Sequence, residues 1–200
     1  MITSGRNREH GFTLAELMLA VAIGMIVVGM AMAGLPGMIK SSRADGGLAA
    51  LASSVRSARE MSVGARRNMQ ITFGTNTMMT TRVEYCAPPC AGGATTTLVK
   101  TVTLEGRVQF IRVSGLSDTP DAFALGQSAA AALGSLALSS LTPAMFTTDG
   151  SFVNSNGDVL NGTLFIAVPG DPLSARAITI FGPTGAMRLW KWDGRAWVEA

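Results

Sequence analysis

The chain has 200 residues, 48% of them hydrophobic and only 14% charged, with a formal net charge of +3. Its single histidine is His10, so removal of the first residues leaves no imidazole for general-base or metal chemistry, and so small a charge does not by itself specify a polyanionic partner. No nucleophile–base pair, phosphate-binding loop or glycine-rich dinucleotide turn is legible, so the sequence predicts a protein that is not an enzyme and takes no cofactor.

Residues 1–11 form a short polar leader carrying Arg6, Arg8, Glu9 and His10; its loss lowers the net charge by one, to +2. Gly11-Phe12-Thr13-Leu14-Ala15-Glu16 follows, and then an apolar run from Leu17 to Ile39 without a charge. As a helix those 23 residues reach ~35 Å, against a hydrocarbon core of ~30 Å. Glu16 is the exception, because a carboxylate inside such a helix costs on the order of 2.5–3.5 kcal/mol unless it is partnered or reaches the interface. Two readings are open. Either Glu16 lies among headgroups in the first turn, where the helix dipole favours an anion, or a cation meets it.

Gly11-Phe12-Thr13-Leu14-Ala15-Glu16-Leu17 resembles the cleavage and methylation motif of type IV prepilins and type II secretion pseudoprepilins, with Ala15 where the commonest form has isoleucine. The resemblance implies that a prepilin peptidase cuts between Gly11 and Phe12 on the cytoplasmic side and that the Phe12 amine is methylated. It further implies that Glu16 meets the N-terminal amine of a neighbouring pilin or pseudopilin during assembly. A competing signal is Ala31-Met32-Ala33, an A-x-A sequence at which a secretory peptidase would leave a soluble domain beginning near Gly34. That reading gives Glu16 no purpose. Lys40, Arg43, Arg56 and Arg59 just beyond the helix argue for a cytoplasmic C-terminal side. Long domains, however, translocate largely regardless of charge, and the motif implies a cytoplasmic leader and a periplasmic domain.

Within residues 12–39, small residues recur at four-residue spacing (Ala20 and Gly24, Gly29 and Ala33, Ala33 and Gly37); with the methionines they either suit close helix contacts or simply make a weakly hydrophobic anchor, and both readings stay open. Pro36 predicts a kink or local melting, because it has no N–H to offer the Met32 carbonyl. Ser41–Gly47 reads as a flexible joint, followed by a second helix over about residues 45–67. Leu48, Leu51, Val55, Ala58 and Ser62 or Met61 form its apolar face, while Arg56, Arg59, Glu60, Arg66 and Arg67 lie on others. The passage from Arg56-Ser57-Ala58-Arg59 into Asn68-Met69-Gln70-Ile71-Thr72-Phe73 resembles the helix-to-first-strand region of the GspH/FimT group.

From Asn68 the period changes to two. Strands are expected at 69–74, 77–85, 96–104, 107–113, 144–148, 151–154, 163–168, 176–181, 186–192 and 195–199, with turns at Gly182–Gly185 and Asp193-Gly194. Residues 114–143, rich in Ala, Ser, Leu and Gly, read as a variable insertion covering the sheet.

Cys86 and Cys90, the whole cysteine inventory, flank Ala87-Pro88-Pro89, and in an oxidising compartment such a pair staples its own loop as a structural disulfide. Zinc would need four ligands, which the mature chain does not supply. Asp149-Gly150-Ser151 and Asn154–Asp158 place several oxygens in a short span, but lack a closing bidentate glutamate; turn formation is the simpler role and no metal is expected. Near the C-terminus, Arg188, Lys191 and Arg195 lie among Trp190, Trp192 and Trp197. Cations beside aromatics suit nucleic acid, and some FimT-like minor pilins bind DNA through a Gly-Arg-x-Arg stretch. Here Ala186 replaces the first arginine, so tryptophans in a core or subunit interface are the preferred reading, with DNA contact the alternative.

These readings predict an α+β, type IV pilin-like fold: a long N-terminal transmembrane α-helix packed on a small antiparallel β-sandwich-like domain. The expected divisions are a leader (1–11), a membrane and assembly helix (12–39), its amphipathic continuation (40–67) and a periplasmic β-rich domain (68–200). The expected place is the bacterial inner membrane, single-pass, with a cytoplasmic N-terminus. The resemblance implies a minor pseudopilin of the type II secretion system near the pseudopilus tip. A minor pilin of a type IV pilus or DNA-uptake machine is the alternative, and a secreted soluble domain a remote one.

Overall fold

A computed structural model describes residues 13–84, 95–121, 123, 144–154 and 157–200, with side chains for all of these but 31–36. The chain divides into two units, Met1–Ile39 and Lys40–Ala200. One helix, α1 (Leu14–Ala65), contributes to both. Its backbone is helical through Pro36 and through Gly46-Gly47, so the joint expected at Ser41–Gly47 and a separate second helix are not found. Of the two glycines there, Gly47 serves packing, whereas a Cβ on Gly46 would meet nothing within 4 Å. A Cβ on Gly47 would lie 3.3 Å from Leu104 and 3.6 Å from Ile166, so Gly47 lets the helix lie close on its neighbours.

The helix ends without a glycine. Arg66 takes φ 49°, and the Arg67 N–H donates to the Ser62 carbonyl at 3.2 Å, which is the hydrogen bond of a left-handed C-cap.

In the second unit the described residues form nine strands in two antiparallel sheets. The first sheet contains β1 (Met69–Phe73), β2 (Thr77–Glu84), β3 (Thr95–Thr103), β4 (Ala144–Phe146) and β5 (Phe152–Val153), in the order β3-β2-β1-β4-β5. The second contains β6 (Gly162–Val168), β7 (Asp171–Phe181), β8 (Ala186–Trp192) and β9 (Trp197–Glu199), in sequence order. Period-two alternation places Leu164, Ile166 and Val168 on one face of β6 and Phe165 and Ala167 on the other.

The main core lies where α1 meets both sheets: Leu48, Leu51, Val55 and Ala58 from the helix, Ile71, Met78, Phe146 and Phe152 from the first sheet, Ile166, Ile178 and Ile180 from the second. The outer face of the second sheet has its own core, built from Phe165, Trp190, Trp192 and Trp197 and roofed by Ile111, Val113 and Leu116.

That roof corrects the strand expected at 107–113. The segment makes a single isolated bridge, Gln109 with Ala167, and otherwise runs as a connection. Its alternation has a different cause: Val108 and Phe110 enter the main core, whereas Ile111 and Val113 enter the tryptophan core. The last strand is shorter than expected, because Asp193–Ala196 forms a four-residue connection closed by the Asp193 N–H on the Ala196 carbonyl.

The beginning of the expected 114–143 insertion is packed. Ser117 accepts a hydrogen bond from the Trp197 indole at 2.8 Å, Thr119 is buried beside Thr163, and Phe123 stacks on Phe181. Residues 122 and 124–143 lie outside the described residues. Among those described, no helix has a stretch long and apolar enough to cross a membrane. The expected span 12–39 includes Phe12 and the side chains of 31–36, which are not described.

Candidate functional site

Thr13 and Glu16 form a reciprocal cap on the first turn of α1. The Thr13 N–H donates to Glu16 Oε2 at 3.0 Å, and the Glu16 N–H donates to Thr13 Oγ1 at 3.3 Å. The threonine hydroxyl also donates to Oε2, at 3.0 Å. Thr-x-x-Glu is the sequence signature of this capping box, and Thr13 is the residue that pattern reading missed by attending to Glu16 alone. The cap orients the carboxylate at the positive end of the helix dipole. Among the described residues, Glu16 Oε1 takes no hydrogen bond.

The helix beyond this cap exposes apolar side chains all round. Leu14, Leu17, Met18, Leu19, Met25, Ile26 and Met30 are each at least 60% exposed. An apolar surface on every side of a helix calls for lipid or other helices around it. Gly11 and Phe12 lie outside the described residues, as do Cys86 and Cys90.

In the second unit two arginines attach the helix to the sheets, Arg176 from β7 and Arg59 from α1. Arg176 is fully buried; it donates through Nε to Asp45 Oδ1 at 2.6 Å and through Nη2 to Ser41 Oγ at 2.8 Å, and Nη1 donates to the Leu173 and Ala175 carbonyls. β7 is thereby tied to the helix one end at a time. At the other end, Arg59 donates from Nε to the Gly150 carbonyl at 3.2 Å, in the β4–β5 turn. Its stem fills the place of a side chain at Gly185, where a Cβ would meet Arg59 Cδ at 2.7 Å, and Gly185 itself has φ 64°.

The basic residues near the C-terminus do not converge. Trp190 and Trp192 are buried, and the Trp190 indole donates to Thr179 Oγ1 at 3.0 Å, so neither offers a stacking platform. Arg188 shares their face of β8 but is exposed and paired with Glu199. Lys191 points to the opposite face, 3.8 Å from Asp45, and Arg195 is exposed in the β8–β9 turn.

Asp149, Asn154 and Asp158 are occupied by their own turns. Thr147 and Ser151 donate to Asp149, and hold its carboxyl down at about 2. Asn154 Nδ2 donates to Asp158 at 3.1 Å, and the Asp158 N–H donates to Asn154 Oδ1 at 2.9 Å. Among the described residues no three potential ligands group as a metal site would require.

A family model described as a prokaryotic N-terminal methylation motif matches residues 6–32, which takes in the Thr13–Glu16 cap and the residues on either side of the Gly11–Phe12 bond. No curated protein and no solved structure matches the chain.

Proposed function

We propose that this chain, a type IV pilin-like or pseudopilin precursor by the methylation motif it carries, is a minor pseudopilin of the type II protein secretion system. It is cleaved by prepilin peptidase between Gly11 and Phe12, held in the bacterial inner membrane by residues 12–39 with its β-rich domain in the periplasm, and incorporated near the pseudopilus tip. Its work is assembly with other pseudopilins rather than catalysis, and it needs no cofactor. The observation that carries the reading is the matched motif at 6–32, with a capped Glu16 at the head of an apolar run.

The reading makes chemical sense of Glu16. The cap supplies neutral donors only, so the carboxylate keeps its charge and the capacity of Oε1 for a cation; the methylated Phe12 amine of a neighbour is a cation at the same depth. A minor pilin of a type IV pilus shares every one of these features. The DNA-uptake variant has less support, because the tryptophans are buried and Arg188 and Lys191 face opposite sides.

Intact mass of the protein recovered from membranes tests the reading. A chain beginning at a methylated Phe12 is expected. A chain beginning near Gly34 would overturn it in favour of a secreted domain.

A further inference from the structure

We propose that one end of the second unit is a membrane-resting surface for anionic lipid headgroups, formed by Lys40, Arg43, Arg195 and Leu173. This rests on the membrane anchoring proposed above.

The surface is assembled from the strand connections. In an antiparallel sheet the β6–β7 and β8–β9 turns lie at one end and the β7–β8 turn at the other. Lys40 Nζ lies 3.9 Å from Asp171, which fixes the β6–β7 turn beside the first residue after the apolar run. Leu173, two residues on, is 59% exposed, and a Cβ on Gly194 would lie 3.4 Å from its Cδ2, so the β8–β9 turn stands next to it. Arg195 is exposed on that second turn. Arg43 is exposed about one helical turn beyond Lys40, with its side chain along Gly106.

The charge balance selects the occupant. Lys40 is offset by Asp171 and Lys191 by Asp45, whereas Arg43 and Arg195 make no ion pair among the described residues. Arg176 and its network hold Ser41 and Asp45 to β7, so this end is rigid. Arg43, shortly after the membrane-length apolar run, and Arg195, on a turn beside the exposed Leu173 with Asp193 as its only near carboxylate among the described residues, match phosphate headgroups over an acyl boundary.

The test uses the full mature chain in nanodiscs of phosphatidylcholine, with or without phosphatidylglycerol, read by amide hydrogen exchange. Added anionic lipid is expected to slow exchange at 170–174 and 193–196 by at least about fivefold, since each basic residue at such a surface is worth roughly that factor. Arg43→Glu with Arg195→Glu should abolish the slowing while the interior of β8 stays protected. Equal exchange in the two lipids, or slowing that persists in the double variant, overturns the proposal. If the double variant loses protection in β8, Arg195→Gln, on an exposed turn, decides in the same way. Release of the wild-type chain from vesicles by alkaline carbonate overturns the membrane anchoring itself, a failure distinct from stable insertion without lipid dependence.

Discussion

Arg176 shows how a single buried cation organises the domain. Its guanidinium has no access to water, and every hydrogen bond it makes goes to the helix or to its own strand. Such a group is stable only while its partners remain. Asp45→Ala removes the one carboxylate on Nε and leaves Arg176 desolvated. Because Asp45 is itself 46% exposed, the expected loss is at the lower end for a broken ion pair, about 2 kcal/mol, measured by urea unfolding of the full chain in detergent. Asp149 makes the complementary case for an exposed group. Its carboxylate accepts hydrogen bonds from Thr147 and Ser151, which lower its pKa from 3.8 to about 2. A lowered carboxylate pKa contributes stability that is complete above the ordinary value and is lost as pH falls towards the folded one. The β4–β5 turn should therefore loosen between pH 3.8 and about 2. The Asp149 carboxyl carbon, followed by NMR, should titrate at about 2, and Thr147→Ala should move it up; a wild-type midpoint near 3.8 would show the turn bonds to be absent.

At the level of elements, what the sequence made legible was period, and what it concealed was context. The helical face Leu48, Leu51, Val55, Ala58 and Ser62 is buried, because five positions at that spacing have no other way to leave water together. Residues 107–113 alternate like a strand and are not one, since alternation reports two apolar environments and not hydrogen-bond pairing. Gly46-Gly47 looked like a joint, but the sequence does not show that Leu104 and Ile166 press on that helical surface. Thr13 was readable from its spacing to Glu16, whereas Arg176 as anchor was not, because Ser41 and Asp45 lie 135 and 131 residues away in the chain. The end of α1 carries a prediction. Arg66 holds a left-handed conformation that costs a residue with a Cβ about 1–2 kcal/mol. Arg66→Gly relieves that cost and gives back ~0.4–1 kcal/mol through the freer unfolded chain. The net gain should be about 0.5 kcal/mol, seen as a higher midpoint of urea unfolding at unchanged slope.

For the molecule as a whole, the two units divide the labour. In the second unit Arg59, Arg176 and Arg188 are each engaged by a carbonyl or carboxylate of the same unit, and the tryptophans are buried. Among the described residues, the first unit leaves its apolar side chains exposed and presents one carboxylate, Glu16. If assembly runs through that carboxylate, Glu16→Ala should separate processing from incorporation. Cleavage at Gly11–Phe12 should continue, because the substitution leaves the scissile bond and the apolar run intact. The cap loses its Glu16 acceptor, at a local cost of about 1 kcal/mol that an anchored helix of 52 residues tolerates. Incorporation should fall at least tenfold, since a neighbour's amine would then enter the apolar layer without a counter-charge. Glu16→Gln sharpens the comparison. Its amide oxygen can still accept the Thr13 hydrogen bonds, so the cap survives while the charge is lost. Quantifying mature protein in sheared fibres and in membranes decides between the two roles. A defect in both variants with normal cleavage means that the charge acts between subunits. Recovery of incorporation in Glu16→Gln would mean that the carboxylate serves only to start its own helix.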